Sequence, residues 1–114
     1  MSEAPDQMKV EDLQFDENGL VPVAVQDVDT NEVLLVGFAN EEAVRRTFAK
    51  GLATFWSRSR GELWTKGDTS GNRLHIVEVR YNCEQSTLLY RVHLEGDAAC
   101  HTGNYSCFYR TLEP

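Results

Sequence analysis

Leu74-His75-Ile76-Val77-Glu78-Val79-Arg80-Tyr81-Asn82-Cys83-Glu84-Gln85-Ser86-Thr87-Leu88-Leu89-Tyr90-Arg91-Val92-His93-Leu94 is the stretch whose reading decides the fold. Its ends alternate apolar with polar residues and its middle is polar. Alternation at period two marks a strand with one buried face. Ile76, Glu78, Arg80 and Asn82 fall on one face of the first strand, and Val77, Val79, Tyr81 and Cys83 on the other. Leu88, Tyr90, Val92 and Leu94 line one face of the second. Asn82-Cys83-Glu84-Gln85-Ser86 is the polar hairpin between them. Cys83 thus stands at a strand end, a poorer place for an inert core thiol than mid-strand. His75 and His93 sit among charged neighbours and read as surface or structural histidines.

Upstream, residues 20–26 form a Val-rich strand whose Pro22 cannot donate to a ladder, which favours an edge or a strand start. Asp27-Val28-Asp29-Thr30-Asn31 is a turn, and residues 33–38 return as a strand apolar enough to be covered on both faces. Asn40 is a helix N-cap followed by Glu41 and Glu42, where carboxylates suit the positive helix end. Lys50 and Gly51 supply the stop signal. The helix spans residues 41–50, with Val44 and Phe48 on one face and Thr47 nearby. Residues 53–58 form a third strand around Phe55 and Trp56.

Ser57 to Gly71 then reads as a polar loop without secondary structure of its own. So long a loop in a small domain points to binding. Arg58, Arg60 and Lys66 are cationic donors in an acidic chain, and Thr69, Ser70 and the glycines add hydroxyl and backbone donors of the kind that line phosphate sites. The pattern is not a P-loop. Trp64 is either a core residue or a stacking platform.

All three cysteines, Cys83, Cys100 and Cys107, fall within the C-terminal third, and His101 adjoins Cys100. Thiolate and imidazole are zinc ligands, and three ligands leave a tetrahedral position open. Without a C-x-x-C knuckle, buried cysteines acting as small hydrophobes remain the other reading. Phe108 and Tyr109 start a short final strand.

The chain has 114 residues and a formal net charge of -7. One domain, residues 19–114, follows a partly ordered N-terminal arm, residues 1–18. The charge disfavours a general nucleic-acid or anionic-membrane binder. No apolar run approaches the roughly 20 residues a membrane span needs. No signal-peptide core is evident, so a cytoplasmic home is expected, where structural disulfides are disfavoured.

Four stretches together resemble the phosphoribosyl-AMP cyclohydrolase family. They are Asn40-Glu41-Glu42-Ala43, Trp56 to Trp64, Lys66-Gly67 with Thr69-Ser70-Gly71, and Cys100-His101-Thr102-Gly103 ending in Ser106-Cys107-Phe108-Tyr109. The resemblance covers roughly residues 20 to 110. It implies a mainly β (α+β) fold, a small mixed-sheet pseudo-barrel with one main helix, working as an intertwined homodimer. It implies zinc held by Cys83 of one chain with Cys100 and Cys107 of the other. It also implies magnesium on aspartates around the first cysteine, in the order Asp-Cys-Asp-x-Asp. Asn82, Glu84 and Ser86 stand at those places here, so one carboxylate remains and a magnesium site is weakened.

The implied reaction is hydrolysis of the N1–C6 bond of the adenine ring of phosphoribosyl-AMP, a step of histidine biosynthesis. His101 is the candidate for proton transfer, with an orienting role or a fourth zinc bond as alternatives. Arg58, Arg60, Trp64, Lys66, Thr69 and Ser70 are the candidate substrate residues, because the substrate carries two phosphates. A nucleotide deaminase and a zinc-stabilised dimer without activity are the rivals. The deaminases pair H-x-E with P-C-x-x-C, and the P-C-x-x-C half of that signature is absent.

Overall fold

Residues 7–114 are described by a computed structural model of the chain. The strands are β1 (Val21–Asp27), β2 (Val33–Ala39), β3 (Thr54–Ser57), β4 (Glu62–Thr65), β5 (Leu74–Tyr81) and β6 (Leu88–Leu94), with helix α1 (Glu41–Lys50) between β2 and β3. The fold is therefore mainly sheet with one helix. Four strands form a mixed sheet in the order β2-β1-β6-β5, while β3 and β4 pair separately. The described strands do not close into a barrel.

The β5–β6 hairpin forms with Tyr81 opposite Leu88 and Leu74 opposite Leu94. Its alternation is broken once. Ile76 pairs with Val92 and Glu78 with Arg91, so Val77 is an extra residue without a partner. This bulge turns Ile76, Val79 and Tyr81 to the same core face and leaves Val77 58% exposed, against the simple alternation. Glu78 then faces outward, where it accepts a hydrogen bond from Arg91 Nη1 at 3.1 Å.

β1 lies inside the sheet, antiparallel to β2 and parallel to β6. Pro22 is tolerated there because it sits at the strand start, one residue before the β6 ladder begins at Val23. β2 is an edge. An irregularity opposite Gln26 lets consecutive Leu34 and Leu35 both be buried. Val33 and Val36 are exposed, so β2 is not covered on both faces within one chain.

α1 starts where Asn40 Oδ1 accepts from the Ala43 N–H at 2.8 Å. It ends at Gly51, whose φ of 71° is the left-handed cap conformation. Ala43, Val44 and Thr47 face inward, but Phe48 is 56% exposed, contrary to the expected shared face with Val44. The Thr47 hydroxyl holds the helix to β3: it lies 2.9 Å from Ala43 O and accepts from the Thr54 N–H at 3.0 Å. Phe55 packs between Trp64 and Tyr90, with ring centroids 5.1 and 6.1 Å away. Gly37 makes room for that ring, since a Cβ there would meet Phe55 at 2.9 Å.

β4 corrects the expectation of a structureless stretch from Ser57 to Gly71. It pairs with β3 through Phe55 opposite Trp64, and the Thr54 and Thr65 hydroxyls meet at 3.0 Å. No strand forms around Phe108 and Tyr109, which are exposed. The expected N-terminal arm lies outside the described residues for its first six positions. Its remainder carries a 3-10 turn, Val10–Asp12, buries Leu13, and packs Met8, Val10 and Phe15 against the core.

Candidate active site

Cys100 and Cys107 lie after β6 in a segment with no regular structure, so its order comes from discrete hydrogen bonds. The Ala99 and Cys100 N–H groups donate to Tyr105 O at 3.0 Å and Asn104 O at 3.1 Å, closing a loop. The Cys107 N–H donates to Leu34 O at 2.7 Å, and Ser106 Oγ donates to Val33 O at 2.6 Å, docking the loop on β2. The Tyr105 hydroxyl donates to Asp27 Oδ2 at 2.5 Å and lies 2.6 Å from Thr30 Oγ1. Asp27 is 4% exposed, so this phenol satisfies a buried acid.

The two thiols are near enough to influence each other's ionisation. Asn104 Nδ2 donates to Thr102 Oγ1 at 2.8 Å, which frees the Thr102 hydroxyl proton for Cys100 Sγ at 2.9 Å. That hydroxyl is the main cause holding the Cys100 thiol below its ordinary pKa. Burial pushes the Cys107 thiol up, and the nearby Cys100 adds to this. The two thiols are thus shifted in opposite directions, with Cys100 the easier to ionise.

A cavity of about 510 Å³ opens beside Cys100. Arg60, Trp64, Lys66, Thr69 and Ser70 line it together with Cys100 and His101. The sequence-predicted loop and the cysteine segment therefore meet at one site. Trp64 packs its ring on Phe55, as a core residue would, and it also lines the cavity. Arg58 does not join. Its guanidinium stacks 3.8 Å over the Phe38 ring, away from the cavity lining. Gly67 shapes the loop. Its φ is 88°, and a Cβ there would fall 2.4 Å from the Asn72 carbonyl group.

Cys83 lies elsewhere. With Asn82 it lines a second cavity of about 1260 Å³, walled by Met8, Val10, Val44 and Phe48. Glu84 and Ser86 complete the same turn. Among the described residues no three His, Cys, Asp or Glu side chains gather within reach of one metal ion. One chain therefore offers two thiols at one site and the third at another.

The sequence reading passed over Thr102, Asn104 and Tyr105, and also Asp68 and Asn72 in the cavity wall. A hydroxyl two residues after a thiol is a usable signal for Thr102. The Tyr105–Asp27 bond joins residues 78 apart and leaves no local trace.

The phosphoribosyl-AMP cyclohydrolase family model matches residues 35–109. The Archaeoglobus fulgidus phosphoribosyl-AMP cyclohydrolase is 60% identical over 102 residues, covering 90% of this chain and 94% of that protein. A Bordetella parapertussis protein of the same name is 48% identical, over 90% of this chain and 76% of its own. The Aquifex aeolicus histidine biosynthesis bifunctional protein HisIE is 46% identical, and the match spans 49% of it. With Cys100, His101 and the loop residues converging on one cavity, and similarity of this extent, the chain belongs to the phosphoribosyl-AMP cyclohydrolase family.

Proposed function

We propose that the chain hydrolyses the N1–C6 bond of the adenine ring of phosphoribosyl-AMP, opening the ring for histidine biosynthesis. The observation that carries this is the shared cavity: anion-binding side chains and the Cys100–His101 pair line the same wall. Arg60 and Lys66 are its cations and suit one phosphate, with the Thr69 and Ser70 hydroxyls beside them. Trp64 offers a flat apolar wall for the purine.

The donor set fits zinc in part. Cys100 and Cys107 influence each other's ionisation, and the Thr102 hydroxyl lowers the Cys100 thiol's pKa. The third thiolate is Cys83 of a second copy, so the working form is a homodimer with two shared sites. The separation of Cys83 from the Cys100 cavity within one chain supports this reading. Bound zinc supplies Lewis acidity that makes hydroxide available near neutral pH.

Water adds across the C6–N1 bond. Its oxygen becomes the carboxamide carbonyl on C6, and N1 leaves carrying a proton. His101, exposed on the cavity wall, takes one proton from the attacking water and gives it to N1, while the water's other proton ends on the exocyclic nitrogen, which becomes the carboxamide NH2. Arg60 and Lys66 hold the substrate so that C6 and N1 face the imidazole and the cysteine pair.

Zinc-reconstituted protein incubated with phosphoribosyl-AMP, followed by product absorbance, tests this. Wild-type protein should turn over, and His101→Ala should lower kcat by about 10²–10⁴. Lys66→Ala should act mainly on KM. Undiminished kcat in His101→Ala removes the imidazole from the chemistry, and no turnover in any metal condition overturns the enzyme assignment.

A further inference from the structure

The turn that presents Cys83 is occupied by its own hydrogen bonds. Asn82 Oδ1 accepts from the Ser86 N–H at 2.8 Å and the Thr87 N–H at 3.1 Å. Asn82 Nδ2 reaches Ser86 Oγ at 3.4 Å. The backbone closes the same turn, with Asn82 N–H to Thr87 O at 3.1 Å and Gln85 N–H to Asn82 O at 3.0 Å. Gln85 then ties it to the N-terminal segment: its Nε2 donates to Asp12 O at 3.1 Å, and its carbonyl accepts from the Gln14 N–H at 2.8 Å.

This leaves little for a magnesium ion. Magnesium takes six oxygens in near-ideal octahedral geometry and favours carboxylates. The carboxamide oxygen of Asn82 already serves two backbone donors. Ser86 is neutral and bonded to Asn82, and Glu84 is the one carboxylate of the turn. The charged residues of the adjoining cavity wall are Lys9, Arg45 and Arg80 against Glu11 and Glu78, a balance that does not attract a dication. The residues present do not fit the second metal that the family resemblance implies.

We propose that the hydrogen-bonded turn 82–87 does the work of that second metal in this chain. It holds Cys83 in place through the Asn82 carboxamide and the Gln85 anchor, and the active site takes one metal ion per shared site. This rests on the proposed zinc-dependent hydrolase, but Mn²⁺ binding separates the two, because it is read without turnover.

Mn²⁺, a spectroscopic stand-in for magnesium, is titrated by electron paramagnetic resonance into zinc-loaded protein. The wild type should bind none at concentrations below about 1 mM, and magnesium should change turnover less than about 2-fold. Replacing Asn82, Glu84 and Ser86 together with Asp should create a site at least about 10-fold tighter. Asn82→Ala removes both caps and should weaken zinc affinity about 10–100-fold, whereas Asn82→Asp retains the acceptor and should restore it. Micromolar Mn²⁺ binding by the wild type that disappears in Glu84→Gln overturns the proposal. Micromolar Mn²⁺ binding indifferent to Glu84→Gln contradicts one metal ion per shared site and likewise overturns the proposal. Zinc affinity unchanged in Asn82→Ala also overturns it.

Discussion

Tyr105→Phe removes one oxygen and tests how the cysteine loop is held. The Tyr105 hydroxyl is the donor to Asp27 Oδ2 at 2.5 Å, and Asp27 is 4% exposed. Its other oxygen takes the Asp29 N–H at 2.8 Å. Asp27 is buried, while the Tyr105 end of the bond is only partly so. An orphaned buried acceptor costs about 1–3 kcal/mol, and a charged one falls towards the upper end. Phenylalanine keeps the ring, so packing loss is small. Denaturant unfolding should therefore show a loss of about 2 kcal/mol at unchanged m-value.

The same change should loosen the segment from Ala99 to Cys107, whose closure includes Tyr105 O. Zinc affinity, measured against a competing chelator, should fall about 10–100-fold. A double-mutant cycle with Asp27→Asn should return a coupling of about 0.5–3 kcal/mol. Stability within about 0.5 kcal/mol of wild type together with no coupling would refute the clamp.

Tyr90 gives a pH-dependent test. Its hydroxyl is buried without a hydrogen-bond partner among the described residues. The Thr47 hydroxyl is close enough to influence it but is directed at Ala43 and Thr54. Burial pushes the phenol from 10.0 up to about 12. The neutral form is favoured in the fold, so this stability is full below pH 10 and is lost as pH rises towards 12. Tyr90→Phe should be within about 1 kcal/mol of wild type at pH 8 and gain about 2–3 kcal/mol relative to it by pH 12; parallel stability profiles would contradict this. Gly67→Ala forces a Cβ onto Asn72 and should cost at least about 2 kcal/mol while raising the substrate KM, as unfolding and initial-rate measurements would show. Asn40→Ala removes the α1 cap and should cost about 1 kcal/mol in the same unfolding assay without touching KM.

The parts of the fold legible in the sequence are those fixed by neighbours along the chain. The Asn40 cap, the Gly51 stop and the β5–β6 hairpin are each written within a few residues. What escaped is set by distant partners. Val77 looks like any apolar strand residue, and only the register of β6 shows that it is the extra one. Phe48 has helical spacing from Val44, yet the core ends before reaching it. β4 was hidden because Glu62–Thr65 is short and polar-flanked, and its pairing depends on β3. At the candidate site, the charged and thiol residues were visible by type. Arg58 stays off this cavity lining, and residue type does not reveal that Phe38 offers it a ring face. Thr102, Asn104 and Tyr105 act through hydrogen bonds whose geometry composition does not encode.

Complementation between two inactive variants tests the central claim, that two copies build one hydrolytic site. Cys83→Ser and Cys100→Ser proteins are prepared separately, then unfolded, mixed in equal amounts and refolded with zinc. In a mixed dimer one site receives both substitutions and the other receives neither. About half of the dimers are mixed, and each has one of two sites intact. Each variant alone should be inactive towards phosphoribosyl-AMP, and the mixture should recover about a quarter of wild-type turnover. No recovery from a mixture shown to contain mixed dimers would contradict the shared site.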